Sequence, residues 1–344
     1  MMSSLQTGLL VAGGVTLLAV VGYNYWVSRK SAPRQAQVIA AMDPAMAPML
    51  EDGAVEPVLT DDFEKLPQPE RKPVLDALID AIAAVEVDQP VSGDAALAAL
   101  PATRRVGTKA FNVEGCSEHT GEWEPILPGR RYSAFQAGVQ LANRVGALNE
   151  IEYSEFVVKT QAFADAIGGS PVFLDMLEEV ARARELDQFA SAHDAQLSFT
   201  MIAQAAAWSP GYVQQHAARL GFVAGVIPGR MVLPADVQGL PPVLSLTFDT
   251  QAALAEDPDL SAIREFVLSL DVPQVARADR PFERLRQAAD ALASEMDGAV
   301  TDGDGQVLEQ QTLDQIARDL EQLYDALQER ELAAGSAQAR RLFS

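Results

Sequence analysis

The chain has 344 residues, 48% of them hydrophobic, which is enough for two ordinary domains with real cores and excludes a disordered tail. A formal net charge of -22 and a pI near 4.4 oppose the phosphate attraction behind nucleic-acid binding, so no nucleic-acid partner is expected, and they equally oppose adhesion to an anionic leaflet. A lone cysteine, Cys116, excludes an intramolecular disulfide framework and makes a reduced compartment the simpler expectation.

From Gly8 to Trp26 no side chain is charged, and the run Leu9, Leu10, Val11, Val15, Leu17, Leu18, Val20, Val21 predicts one N-terminal transmembrane helix over residues 8–26. Tyr23, Tyr25 and Trp26 gather at its C-terminal end, and Arg29, Lys30 and Arg34 follow. The positive-inside rule then predicts a single-pass protein of a bacterial inner membrane, with its N-terminus periplasmic and its C-terminal body cytoplasmic. A cleaved signal peptide would need a basic region ahead of the apolar run, and Met1 to Thr7 has none. Residues 31–72 are rich in Ala, Pro and acidic side chains. They read as a tether whose reach as a coil is roughly 35 Å.

Past Lys72, short apolar strands alternate with amphipathic helices. Residues 73–189 read as a first, degenerate α+β repeat, identified through its likeness to a clearer second one over 192–329. Glu155-Phe156-Val157 recurs 110 residues later as Glu265-Phe266-Val267, Pro171 as Pro281, and Asp194 and Gln196 as Asp304 and Gln306. That constant offset predicts a tandem duplicate in which Ser170-Pro171 opens a helix as Pro281 does.

In the second repeat, Gln196 to Ile202 reads as a strand with Leu197, Phe199 and Met201 on one face. Ser209 and Pro210 open a helix that Gly221 closes. Phe222 to Leu233 reads as a strand broken by Pro228 and Gly229, and Val243 to Phe248 and Ile263 to Val272 as two more. A helix begins at Pro281 with an apolar stripe at Phe282, Leu285, Ala289, Leu292 and Met296, and Gly298 ends it. A short strand near Gln306 and a last helix, with Thr312 and Gln315 as a capping box, complete the order βαβββαβα. This is an α+β class: a split β-α-β antiparallel sheet with helices on one face.

Catalytic chemistry finds no footing. His119, His193 and His216 are scattered and none stands at ligand spacing with Cys116, so no metal, cofactor-binding or catalytic residue is assigned. Asp302-Gly303-Asp304-Gly305 lacks the downstream glutamate of a calcium loop and reads as a turn. What remains is recognition by a surface. The uncovered side of the second sheet should carry Ser198, Thr200, Ile202, Val226, Ser245, Thr247, Val267 and Ser269, either packed against the sister repeat or open as a peptide groove.

The strings Gln196-Leu-Ser-Phe-Thr-Met-Ile, Val243-Leu-Ser-Leu-Thr-Phe, Asp257-Pro-Asp-Leu and Leu270-Asp-Val-Pro273, with Phe282 to Gly298 as the long helix, resemble in their order the C-terminal FtsZ-binding domain of the ZipA family. The anchor, basic flank and tether resemble its layout too. The resemblance implies a six-stranded sheet whose open face binds the C-terminal peptide of FtsZ, making the chain a membrane-tethered scaffold of the division ring. It implies partner-peptide contacts at Thr200, Ile202, Val226, Thr247, Val267 and Ser269. Two departures stand out: the apparent second copy, and Thr247 and Ser269 where the family's groove is markedly apolar. An adaptor or sensory module that binds another protein or a small ligand is the alternative.

Overall fold

The computed structural model describes residues 33–36, 74–257 and 261–344. The expected membrane span 8–26 and nearly all of the linker 31–72 lie outside the described residues; among those residues, no helix is long and apolar enough to cross a membrane. The chain divides into two compact units, a leading one with residues 74–194 and 329–344 and an inserted one with 33–36 and 195–328. Both are α+β, and every strand pairing within them is antiparallel.

The leading unit runs β1 (Asp80–Ser92), α1 (Gly93–Ala99), β2 (Arg105–Val106), β3 (Lys109–Ser117), β4 (Trp123–Pro125) and β5 (Arg131–Gln140). A hairpin of β6 (Ala142–Asn143) and β7 (Gly146–Ala147) follows, then α2 (Glu150–Ile167), β8 (Gly169–Val172) and α3 (Met176–His193). Its sheet has the order β2-β3-β5-β1-β8, with β4 beside β3. Alternation buries Ala81, Ala83 and Val85 of β1 with Phe135, Ala137 and Val139 of β5 on one face. There Phe135 meets Phe163 of α2 edge-on, ring centres 5.6 Å apart. A reciprocal cap starts α2: the Asn149 side chain accepts from the Glu152 N–H, and the Glu152 carboxylate accepts from the Asn149 N–H.

The inserted unit runs β9 (Gln196–Ala203), α4 (Pro210–Arg219), β10 (Val223–Ala224), β11 (Arg230–Leu233), β12 (Leu244–Thr247) and the single turn α5 (Thr250–Ala253). Then come β13 (Glu265–Asp271), α6 (Pro281–Met296), β14 (Gly298–Thr301) and α7 (Gln310–Glu329). The order is β10-β11-β12-β13-β9-β14. Ser209 caps α4 through the Tyr212 N–H, with Pro210 in its first turn. The last helix of the chain, α8 (Ala337–Leu342), belongs to the leading unit.

Several boundaries fall elsewhere than expected. Asp297, left-handed at φ 57°, ends α6, and Gly298 already belongs to β14, where a Cβ would come within 3.0 Å of the Met201 sulfur and 3.2 Å of the Trp208 ring. The strand expected near Gln306 is a single bridge, Thr301 to Val307. Asp302 to Gly305 forms the expected turn, its Asp302 carboxylate accepting from the Asp304 and Gln306 N–H groups. Thr312 lies inside α7, which begins two residues earlier.

The offset of 110 does not describe the fold. Glu155, Phe156 and Val157 lie in α2 while Glu265, Phe266 and Val267 lie in β13, and Pro171 sits in β8 while Pro281 opens α6. Ser170-Pro171 opens no helix; Asp175 caps α3 instead. A three-residue identity carries no period, so it cannot tell a helix from a strand. What the units do share is connection and register. β1 pairs with β5 and β8 just as β9 pairs with β13 and β14, with Asp80 opposite Gln140 and Ala84 opposite Val172 in one sheet, and Gln196 opposite Asp271 and Thr200 opposite Thr301 in the other.

Candidate functional site: the uncovered sheet face of the inserted unit

In β9, β12 and β13 every second side chain is buried: Phe199 and Met201, Leu244 and Leu246, Phe266, Leu268 and Leu270. This set meets α6, where Phe199 lies 6.4 Å from the Phe282 ring. The intervening residues point the other way and line up across the strands. One row reads Arg230, Thr247, Val267, Thr200, Thr301; a second reads Val223, Val232, Ser245, Ser269, Ser198; Glu265, Ile202 and Ala299 form a third. Most of these side chains are half-exposed, whereas Thr301 is buried and its hydroxyl donates to the Thr200 carbonyl at 3.1 Å.

Five of the six expected site residues, Thr200, Ile202, Thr247, Val267 and Ser269, therefore share one face and adjoin each other across the strands. Val226 does not join them. It is fully exposed in the turn between β10 and β11, because the chain reverses at once: the Gly225 N–H donates to the Arg230 carbonyl, and Gly229 takes φ 78°. Sequence reasoning passed over Val223, Val232 and Arg230, although the inward Met231 and Leu233 already imply an outward Val232 and Arg230.

The face is shallow, built of β-branched and hydroxyl side chains. Val267 and Ile202 offer apolar contact; the Thr and Ser hydroxyls offer donors and acceptors to an extended backbone. Arg230 and Glu265 bring one charge of each sign, so the face departs from the chain's overall acidity. Such a surface offers contacts along its length rather than a single reactive group. Among the described residues no group of three His, Cys, Asp or Glu could hold a metal ion. His216 is occupied by Glu295 at 2.9 Å and His193 stacks on Phe189 at 4.2 Å.

At one end of this sheet a piece of the expected linker is part of the unit. Arg34 forms a bridge with Trp208, its N–H donating to the Ala207 carbonyl and its carbonyl accepting from the Ser209 N–H. Its guanidinium reaches the Met296 carbonyl at 2.9 Å and the Asp297 carboxylate at 2.8 Å. The cation thus satisfies an orphan carbonyl at the negative end of α6. The Trp208 indole, fully buried, donates to the same Met296 carbonyl at 2.9 Å.

Residues 255–319 match the family model of the ZipA C-terminal FtsZ-binding domain. The matched stretch takes in β13, α6, β14 and about half of α7, and with them Val267 and Ser269; the rows on β9 and β12 lie outside it. That family is a cell-division, protein-binding family, not an enzyme family. No curated protein matches the chain. Among solved structures, berberine bridge enzyme from Eschscholzia californica aligns at 10% identity over 75% of this chain and 54% of its own length, with a TM-score of 0.16. The chain spans about half the length of that enzyme, and a likeness so slight carries no argument.

Proposed function

With a ZipA-like segment at residues 255–319 as the premise, we propose that the chain is a cell-division scaffold that binds the C-terminal peptide of FtsZ on the uncovered face of its inserted unit. The observation that carries this reading is the row Thr247, Val267, Thr200: its side chains are exposed or half-exposed, and its central residue lies on the strand inside the family match. An extended tail laid across it would set an aliphatic side chain on Val267 and Ile202 and its backbone against the hydroxyls. Val267→Glu places on that floor a charge that a bound tail would strip of water, and calorimetric titration should show a loss of about 2 kcal/mol, roughly 30-fold in affinity. Folding is retained, because position 267 faces away from α6. Wild-type affinity in this variant would sink the reading.

The same proposal includes tethering to the inner membrane through residues 8–26, supported by the basic residues that follow the apolar run. Arg34 is docked on the inserted unit only eight positions after Trp26, a span of at most about 28 Å of extended chain. The tail-binding unit is then held near the bilayer by this short stretch, and the linker to residue 72 leads onward to the leading unit. A reporter enzyme fused after Ser344 is expected to be active in the cytoplasm; activity in the periplasm would refute the orientation.

A further inference from the structure

The leading unit has a sheet of the same connection and register, yet its corresponding face is not free. Matching the pairings, Gln136 stands where the inserted sheet has Val267, Gly138 where it has Ser269, Glu114 where it has Thr247, and Asn112 where it has Ser245. Across these positions runs the segment just ahead of β1. Leu75, 8% exposed, fills the notch that Gly138 leaves; a Cβ there would lie 2.5 Å from a Leu75 methyl carbon. Glu114, 1% exposed, turns one carboxylate oxygen to the Val74 and Leu75 N–H groups, the latter at 3.1 Å, and the other to the Gln136 amide at 2.9 Å. These bonds lie outside the strand ladder: a side chain on the sheet face is reading the main chain of the segment ahead of β1.

A clip holds that segment down. The Arg341 guanidinium grips Asp80 at 2.6 and 2.8 Å and the Val74 carbonyl at 2.6 Å, and the Gln338 amide donates to Asp76 at 2.8 Å. Gln140, next but one to Gly138 on β5, donates to the Arg341 carbonyl at 2.7 Å. One leucine in a glycine notch and two N–H groups on a buried carboxylate are what a sheet face needs to recognise an extended peptide.

We infer that the leading unit carries a second, latent peptide-binding face, masked in cis by the strap Val74-Leu75, so that the chain offers one open peptide site rather than two. Its ligand class is an extended peptide presenting a leucine and two adjacent free N–H groups. Counting one open site rests on the reading of the inserted unit's face given above; the masking itself does not.

Leu75→Gly removes the anchor and leaves Glu114 and Gly138 untouched, and two probes then separate the two claims. A labelled synthetic peptide of residues 73–79, added in trans, should bind the Leu75→Gly full-length chain at least tenfold more tightly than the wild type. Hydrogen exchange across β1 and β5 reports that the leading unit is intact in that variant. Equal affinity for both chains, with β1 and β5 still protected, overturns the masking. With the FtsZ tail peptide as the second probe, the wild type should titrate with one site, abolished by Val267→Glu, and Leu75→Gly should titrate with two. Two sites in the wild type also overturn the inference. Binding of the strap peptide to Leu75→Gly together with no FtsZ tail binding by either chain would leave the latent face standing and sink the proposed function instead.

Discussion

Leu268→Glu should unfold the inserted unit, although the same charge one position earlier is tolerated. Leu268 is completely buried and stands opposite Phe199 on β9 and Leu246 on β12. A carboxylate there would lose its water without gaining a partner, and the aliphatic contacts would go with it. The combined cost exceeds about 5 kcal/mol, which is the whole stability of many domains. Amide exchange in β9, β12 and β13 is the measurement: protection should fall to that of unfolded chain in Leu268→Glu and stay near wild type in Val267→Glu. Retained protection in Leu268→Glu would mean that the two faces of β13 have been exchanged, and the candidate site with them.

The inserted unit was largely legible because its signals are local. Ser209-Pro210 is a cap and first turn in two letters, and Phe266, Leu268 and Leu270 alternate with smaller or polar neighbours over a whole strand. That alternation also drew the candidate face, in register, apart from the turn at Val226. Boundaries failed where a residue acts against its type: Asp297 adopts the left-handed cap expected of Gly298, because the glycine is needed against Met201 and Trp208.

The leading unit was less legible for the opposite reason. β1 begins Asp80-Ala-Ile-Ala-Ala, small residues with little apolar contrast between faces, and its pairing with β5 shifts register between Glu86 and Val91. With no strong period to read, short identities at a fixed offset filled the gap and matched a helix to a strand. The true correspondence follows strand pairing, and its spacing differs between elements: Ala84 corresponds to Thr200, an interval of 116 (200 − 84), whereas Gln136 corresponds to Val267, an interval of 131 (267 − 136). No constant offset can align insertions of that kind.

The return of the chain to the leading unit at its C-terminal end had no local signature at all, and it carries the other large effect. Arg341→Ala should destabilise the leading unit by about 3–5 kcal/mol, the usual cost of stranding one partner of a buried pair. The Asp80 side chain is wholly inaccessible, so its charge has no water to fall back on once Arg341, itself 20% exposed, is removed. Asp80→Asn combined with Arg341→Ala should cost less than Arg341→Ala alone, since no buried charge is left behind. Burial pushes the Asp80 carboxyl above its ordinary value, with Arg341 and the Asp76 N–H pulling it down. The folded unit therefore takes up this proton before the unfolded chain does as pH falls. Its contribution to stability is complete below the ordinary Asp range and is lost as pH rises through the folded value. Without Arg341 the folded value climbs further, so the deficit of Arg341→Ala should be greatest at neutral pH and shrink on acidification. Urea unfolding followed by exchange in β1 and β5, at neutral pH and near pH 5, reads both; a deficit that grows in acid would show that Asp80 keeps its charge by another partner.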